Sequence, residues 1–163
     1  MFKKVALAAA LSAAAFSPAA NAGTVTGVLN VTATISGACT IVTPATLAFG
    51  NIVSTNSATT DFTGLLFVNC TATLPYSIGI NNTGNAASGR TMNDGAATPH
   101  FLNYEIYTNI GRTAVWGTTI GTDTAPGTGS GSATSIPVYG RVLVQTTPPA
   151  GAYTDSLTVT VTF

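Results

Sequence analysis

The chain has 163 residues, of which 45% are hydrophobic, only 6% are charged and 30 are threonine, with five basic residues against five acidic ones. Lys3 and Lys4 account for two of the basic residues, so beyond residue 22 three arginines face five carboxylates and lysine is absent. That balance excludes nucleic acid, whose phosphates demand clustered Lys and Arg, and it excludes lysine-linked isopeptide or sortase-type polymers.

Residues 1–22 read as a signal peptide. Lys3 and Lys4 precede an alanine-rich apolar stretch, and Ala20, Asn21 and Ala22 form a small-x-small cleavage site, which places the mature N-terminus at Gly23. No later stretch approaches the roughly 20 apolar residues of a membrane-spanning helix. The expected product is exported: periplasmic in transit, then at the cell surface or outside it. It is expected to be one domain with a single core. Cys39 and Cys70 are the only cysteines; in an oxidising compartment a disulfide between them is the expected state. Closing that loop contributes about 3.5–4 kcal/mol on the chain-entropy model.

From residue 24 onward no helical period is visible, and short alternating or β-branched runs are separated by Gly, Pro, Asn and Ser, the pattern of an all-β sandwich. The first run, TVTGVLNVTATIS at 24–36, alternates cleanly and is read as a strand. Further strands are predicted at 38–42, 47–52, 62–70, 74–81, 101–108, 113–117 and 136–145. Leu66, Val68 and Cys70 share one inward face, as do Tyr76, Ile78 and Ile80, because side chains alternate across a strand. Residues 82–98 and 121–135 read as loops, the latter the more flexible by composition. The closing run, DSLTVTVTF at 155–163, puts Leu157, Val159, Val161 and Phe163 on one face. Both ends of the chain look ready to pair with another strand.

Tyr153 follows a Pro-Pro-x-Gly bend just before that closing run. Immunoglobulin-like sandwiches carry a tyrosine at the corner entering strand F, its hydroxyl bonded back to the main chain. By this analogy the closing strand is F and strand G is missing. A sandwich in that state has a core-lined groove and unsatisfied edges that something must fill.

The ordered set VTGVLNVTATISGAC, LAFG at 47–50, VNCT, Arg90-Thr91-Met92, LNYEIYT at 102–108, Val115-Trp116-Gly117, VYGRV and AGAYTDSLTVTVTF resembles the spore coat protein U domain group, which includes the archaic, Csu-type chaperone-usher pilins. It spans essentially the whole mature chain. The resemblance implies an immunoglobulin-like β-sandwich, incomplete by its last strand, with residues 23–34 as an N-terminal donor strand and 35–163 as the pilin domain. The implied partners are a periplasmic chaperone, an outer-membrane usher and neighbouring subunits. Val25, Gly27, Leu29, Val31 and Ala33 would form the donor face, and Val161 and Phe163 the C-terminus anchored by the chaperone. Arg90, Met92, Trp116, Tyr153 and Asp155 belong to the matched structural motif. With no second, N-terminal adhesin domain, the chain looks like a shaft or adaptor subunit used for adhesion and biofilm formation.

Enzymatic readings find little support in the residues. No nucleophile elbow presents a serine, the Gly-rich run at 121–135 has no lysine for phosphate, and His100 beside a proline reads as a solvated loop residue. Asp123 and Asp155 read as turn caps. Neither a cofactor nor a metal nor a small-molecule substrate is expected. Trp116 reads as core rather than as a sugar-stacking platform, and Asn30, Asn69 and Asn81 match the N-x-S/T pattern by coincidence. Two alternatives stand beside the pilus reading: a spore or cell coat protein of the same fold, and a secreted carbohydrate-binding β-sandwich.

Overall fold

The structure, a computed structural model, describes residues 22–43, 46–55, 57–82 and 89–163. It divides into two units, 1–34 and 35–163. The expected signal peptide, residues 1–22, lies outside the described residues except for Ala22. In the first unit, residues 22–34 belong to none of the strands and all are exposed. The expected strand at 24–36 is therefore corrected: alternation supplies a pairing face, but a strand persists only where another main chain takes up its N–H and C=O groups.

The second unit is all-β. Its strands are β1 (Cys39–Thr43), β2 (Thr60–Cys70), β3 (Pro75–Ile80), β4 (Arg90–Asn93), β5 (Phe101–Tyr107), β6 (Ala125–Thr128), β7 (Ala133–Val142) and β8 (Val159–Thr162). They form a five-stranded sheet in the order β1-β2-β7-β5-β4 and a three-stranded sheet in the order β6-β3-β8. Every ladder is antiparallel. The core is what alternation dictates: Leu66, Val68 and Cys70 from β2, Leu102, Tyr104 and Ile106 from β5, and Val138 and Val142 from β7 meet Tyr76, Ile78 and Ile80 from β3. Cys39 and Cys70 are bonded, and they are direct partners across the β1–β2 ladder.

Several expected boundaries change, each for a local reason. The 47–52 run is not a strand; Leu47, Phe49 and Ile52 pack on the core, but Gly50 at φ 68° turns the chain out of any ladder. At 113–117 only one bridge forms, Val115 with Tyr107. The supposed loop at 121–135 contains β6 and the start of β7. Pro126 is tolerated there because β6 is an edge strand, and Gly127 is needed because a Cβ would lie 2.4 Å from the ring of Tyr76 opposite it. Likewise 82–98 contains β4, which is held by a buried arginine that composition alone does not reveal.

Candidate functional site

Strand β8 lies at the edge of the smaller sheet and, among the described residues, has a ladder on one side only, to β3. A cavity of about 250 Å³ lies between the two sheets at the start of β8, and it adjoins a larger one of about 560 Å³ lined by the 47–55 and 147–153 segments with Met92 and Leu102. Both are lined by Leu47, Phe49, Met92 and Tyr153; the smaller also reaches Ile80, Ile106, Val138, Leu157 and Val159. Both are too large to be single-water voids. Ile80, Ile106 and Val138 belong to the core and are already buried, each 3% exposed, so the smaller cavity is floored by core side chains. Phe49 stands edge-on to Tyr104, ring centres 5.9 Å apart, and stiffens one wall.

The entry to β8 is pinned at three places. Thr154 exchanges both main-chain hydrogen bonds with Asn93 of β4, at 3.0 and 2.9 Å, so the chain crosses here from one sheet to the other. The Tyr153 hydroxyl donates to the carbonyl of Pro149 at 2.8 Å, the local tie that defines a tyrosine corner. The Tyr104 hydroxyl donates to Asp155 at 2.6 Å, and Ser156 N–H donates to the same carboxylate at 2.7 Å. Burial, with the hydrogen bond to Asp155 adding to it, pushes the Tyr104 phenol well above its ordinary range. Tyr104 therefore stays a neutral donor at any working pH. Replacing Tyr153 with phenylalanine removes one hydrogen bond and keeps the ring, so a loss of about 1 kcal/mol is expected in urea unfolding, with an unchanged denaturant slope.

Arg90 is 1% exposed, the most buried charge in the described residues. Its guanidinium donates to the carboxylate of Glu105, to the carbonyls of Ile80 and Trp116 at 2.9 and 2.6 Å, and through Nε to the carbonyl of Asn81 at 3.0 Å. One side chain thus ties β4 and β5 of one sheet to β3 of the other. Trp116, also 1% exposed, donates its indole N–H to Ile78 at 2.8 Å and its main-chain N–H to Ile106 at 2.8 Å. A ring so enclosed offers no face to a sugar. Met92 lies in the groove wall.

The remaining singled-out residues fall elsewhere. Val25, Leu29 and Val31 are 96%, 86% and 83% exposed, and Gly27 and Ala33 are exposed with them. Val161 is half-buried against the core while Phe163 is 59% exposed. His100 sits at the surface, 2.7 Å from Asp94, and its hydrogen bonds hold the Asp94 carboxyl down to about 2. Asp123 caps its turn by accepting from Thr119 N–H at 2.6 Å. Among the described residues, no group of three or more His, Cys, Asp or Glu side chains converges on a common point. Sequence reasoning missed Glu105 and Asn81. The clue to Glu105 was an acid inside the otherwise apolar strand LNYEIYT; Asn81 carried no clue.

The model of the Spore Coat Protein U domain family matches residues 25–160. The chain is 37% identical to Protein U of Myxococcus xanthus, over 97% of this chain and 95% of that protein. Among solved structures it is similar to a chain in the pre-assembly complex of the chaperone CsuC with the tip adhesion subunit CsuE, from the archaic chaperone-usher Csu pili of Acinetobacter baumannii. The TM-score is 0.55 at 24% identity, and the match covers 80% of this chain but 40% of that one, a likeness of fold. With a family model spanning nearly everything after the expected signal and a relative matched almost end to end, the chain belongs to the Spore Coat Protein U domain family.

Proposed function

We propose that the protein is a non-enzymatic structural subunit of a surface fibre, held in the periplasm by a chaperone, passed to an outer-membrane usher, and joined to its neighbours by donor-strand exchange for adhesion and biofilm formation. The observation that supports this reading is the groove at the start of β8: a core-lined gap that reaches Leu157 and Val159, next to a strand whose second edge has no ladder among the described residues. An exposed edge of that kind templates pairing with another chain. A donor segment of matching chemistry exists in the same sequence, since Val25, Leu29 and Val31 alternate on one face and lie exposed, with Gly27 permitting close approach of main chain to main chain. Burying those three aliphatic side chains is worth ~1.5–3 kcal/mol each. A ladder of main-chain hydrogen bonds would add to that and give a long-lived joint.

A coat assembled by the same exchange is the second reading, supported by the match of residues 25–160 to the Spore Coat Protein U domain family. Both require the same joint. Purified mature protein is expected to run as a ladder of heat- and SDS-resistant species. Deleting residues 23–33 is expected to abolish the ladder while leaving capture by the chaperone intact. Ladders of undiminished length from the deleted chain would remove the donor assignment.

A further inference from the structure

The first rung of the β3–β8 ladder is built in an unusual way. The register pairs Ile80 with Val159, so the next pair outward is Asn81 with Thr158, and an antiparallel rung at that position normally exchanges two main-chain hydrogen bonds. Asn81 N–H does donate to the carbonyl of Thr158, at 3.1 Å. The return bond does not go to the Asn81 carbonyl, which accepts from Nε of the buried Arg90 at 3.0 Å. Instead Thr158 N–H donates to the side-chain Oδ1 of Asn81 at 2.7 Å. The carboxamide replaces the carbonyl that the arginine has drawn away.

From this geometry we infer that Asn81 is a positioning residue for strand acceptance: its side chain fixes where β8 begins and so sets the mouth of the groove at Leu157 and Val159. The inference rests on the reading of that groove as the acceptor. Asn carries an oxygen three bonds from Cα, the reach that this rung uses while Arg90 holds the main-chain carbonyl, and Asp carries the same oxygen at the same reach whereas Ala carries none. The relay runs from Glu105 through Arg90 and Asn81 to Thr158, linking the larger sheet to the strand that an incoming segment must pair with. An incoming strand has to find the β8 edge already in register, because a slip of one residue turns every side chain to the wrong face.

The test compares wild type, Asn81→Ala and Asn81→Asp as full mature chains. It measures the rate at which each forms SDS-resistant species, together with the urea midpoint of each. Loss of one hydrogen bond at the rung is expected to slow joining about three- to tenfold in Asn81→Ala, with Asn81→Asp restoring most of the rate. A shift in the midpoint alone, with unchanged joining in Asn81→Ala, would reduce Asn81 to an ordinary structural residue and overturn the inference while leaving the acceptor reading in place. Equal slowing in Asn81→Asp would also overturn it. Should the wild-type chain form no resistant species at all, the acceptor reading fails and the inference falls with it.

Discussion

Replacing Arg90 with methionine is expected to destabilise the folded subunit by about 3–5 kcal/mol, the range for removing one member of a buried ion pair. Three consequences combine. Glu105, 9% exposed, is left as a buried carboxylate without its cation. The carbonyls of Ile80, Asn81 and Trp116 lose their guanidinium donors. The bond between the two sheets at the β4 edge is cut. Lysine at this position keeps the charge but gathers its three donors on one nitrogen where arginine spreads five over a planar fork, so Arg90→Lys is expected to recover only part of the loss. Changing Glu105 to glutamine at the same time removes the orphaned charge and should restore some stability, and the double-mutant cycle apportions the pair against the three carbonyl bonds. The readout is the urea midpoint of purified protein. Against a total stability of about 5–15 kcal/mol for a domain, the single variant is also expected to give little soluble protein in the periplasm. A change below about 1 kcal/mol would mean that the carbonyls are satisfied as well by other donors, and the account of Arg90 as the inter-sheet tie would be wrong.

How much of this was legible in the sequence depends on the kind of interaction. Alternation found the core faces of β2 and β3, because burial of i, i+2 residues is a property of the strand itself. The disulfide and the tyrosine corner were equally readable. The first follows from two cysteines in an exported chain, the second from a tyrosine placed after a tight bend, and Tyr153 does bond back to Pro149. Pairing was less accessible. The long alternating run at 24–36 forms no strand in the described residues, whereas APGT, which reads as a loop, forms β6. In the first case no neighbouring main chain completes the ladder. In the second an edge position forgives the proline and a facing tyrosine demands the glycine. Long-range polar ties were the least visible. Arg90 could be picked out as a motif residue, but its four acceptors come from residues 80, 81, 105 and 116, and nothing local in the sequence brings those together.

Truncating Trp116 to alanine is expected to cost about 3–5 kcal/mol, the usual range for deleting a large buried aromatic. The indole is enclosed between the sheets, and the same residue holds Ile78 on β3 through its ring N–H and Ile106 on β5 through its main-chain N–H. Alanine keeps the second bond, since it uses the main chain, and loses the first along with the ring volume. Trp116→Phe separates those two losses: most of the ring volume is retained, the bond to Ile78 is not, and a cost of about 1 kcal/mol is expected. Because the chain has a single tryptophan, its emission reports on the wild type directly, and a ring this buried should emit at short wavelength and shift to long wavelength on urea unfolding. The two variants are then followed by circular dichroism. A tryptophan serving as a sugar platform would behave in the opposite way: substitution would leave the midpoint unchanged and remove binding to a polysaccharide column. A stable Trp116→Ala protein that lost carbohydrate retention would therefore move the residue out of the core and restore the binding-module alternative. Destabilisation without any such binding keeps Trp116 as the second tie between the sheets, beside Arg90, whose guanidinium donates to its carbonyl.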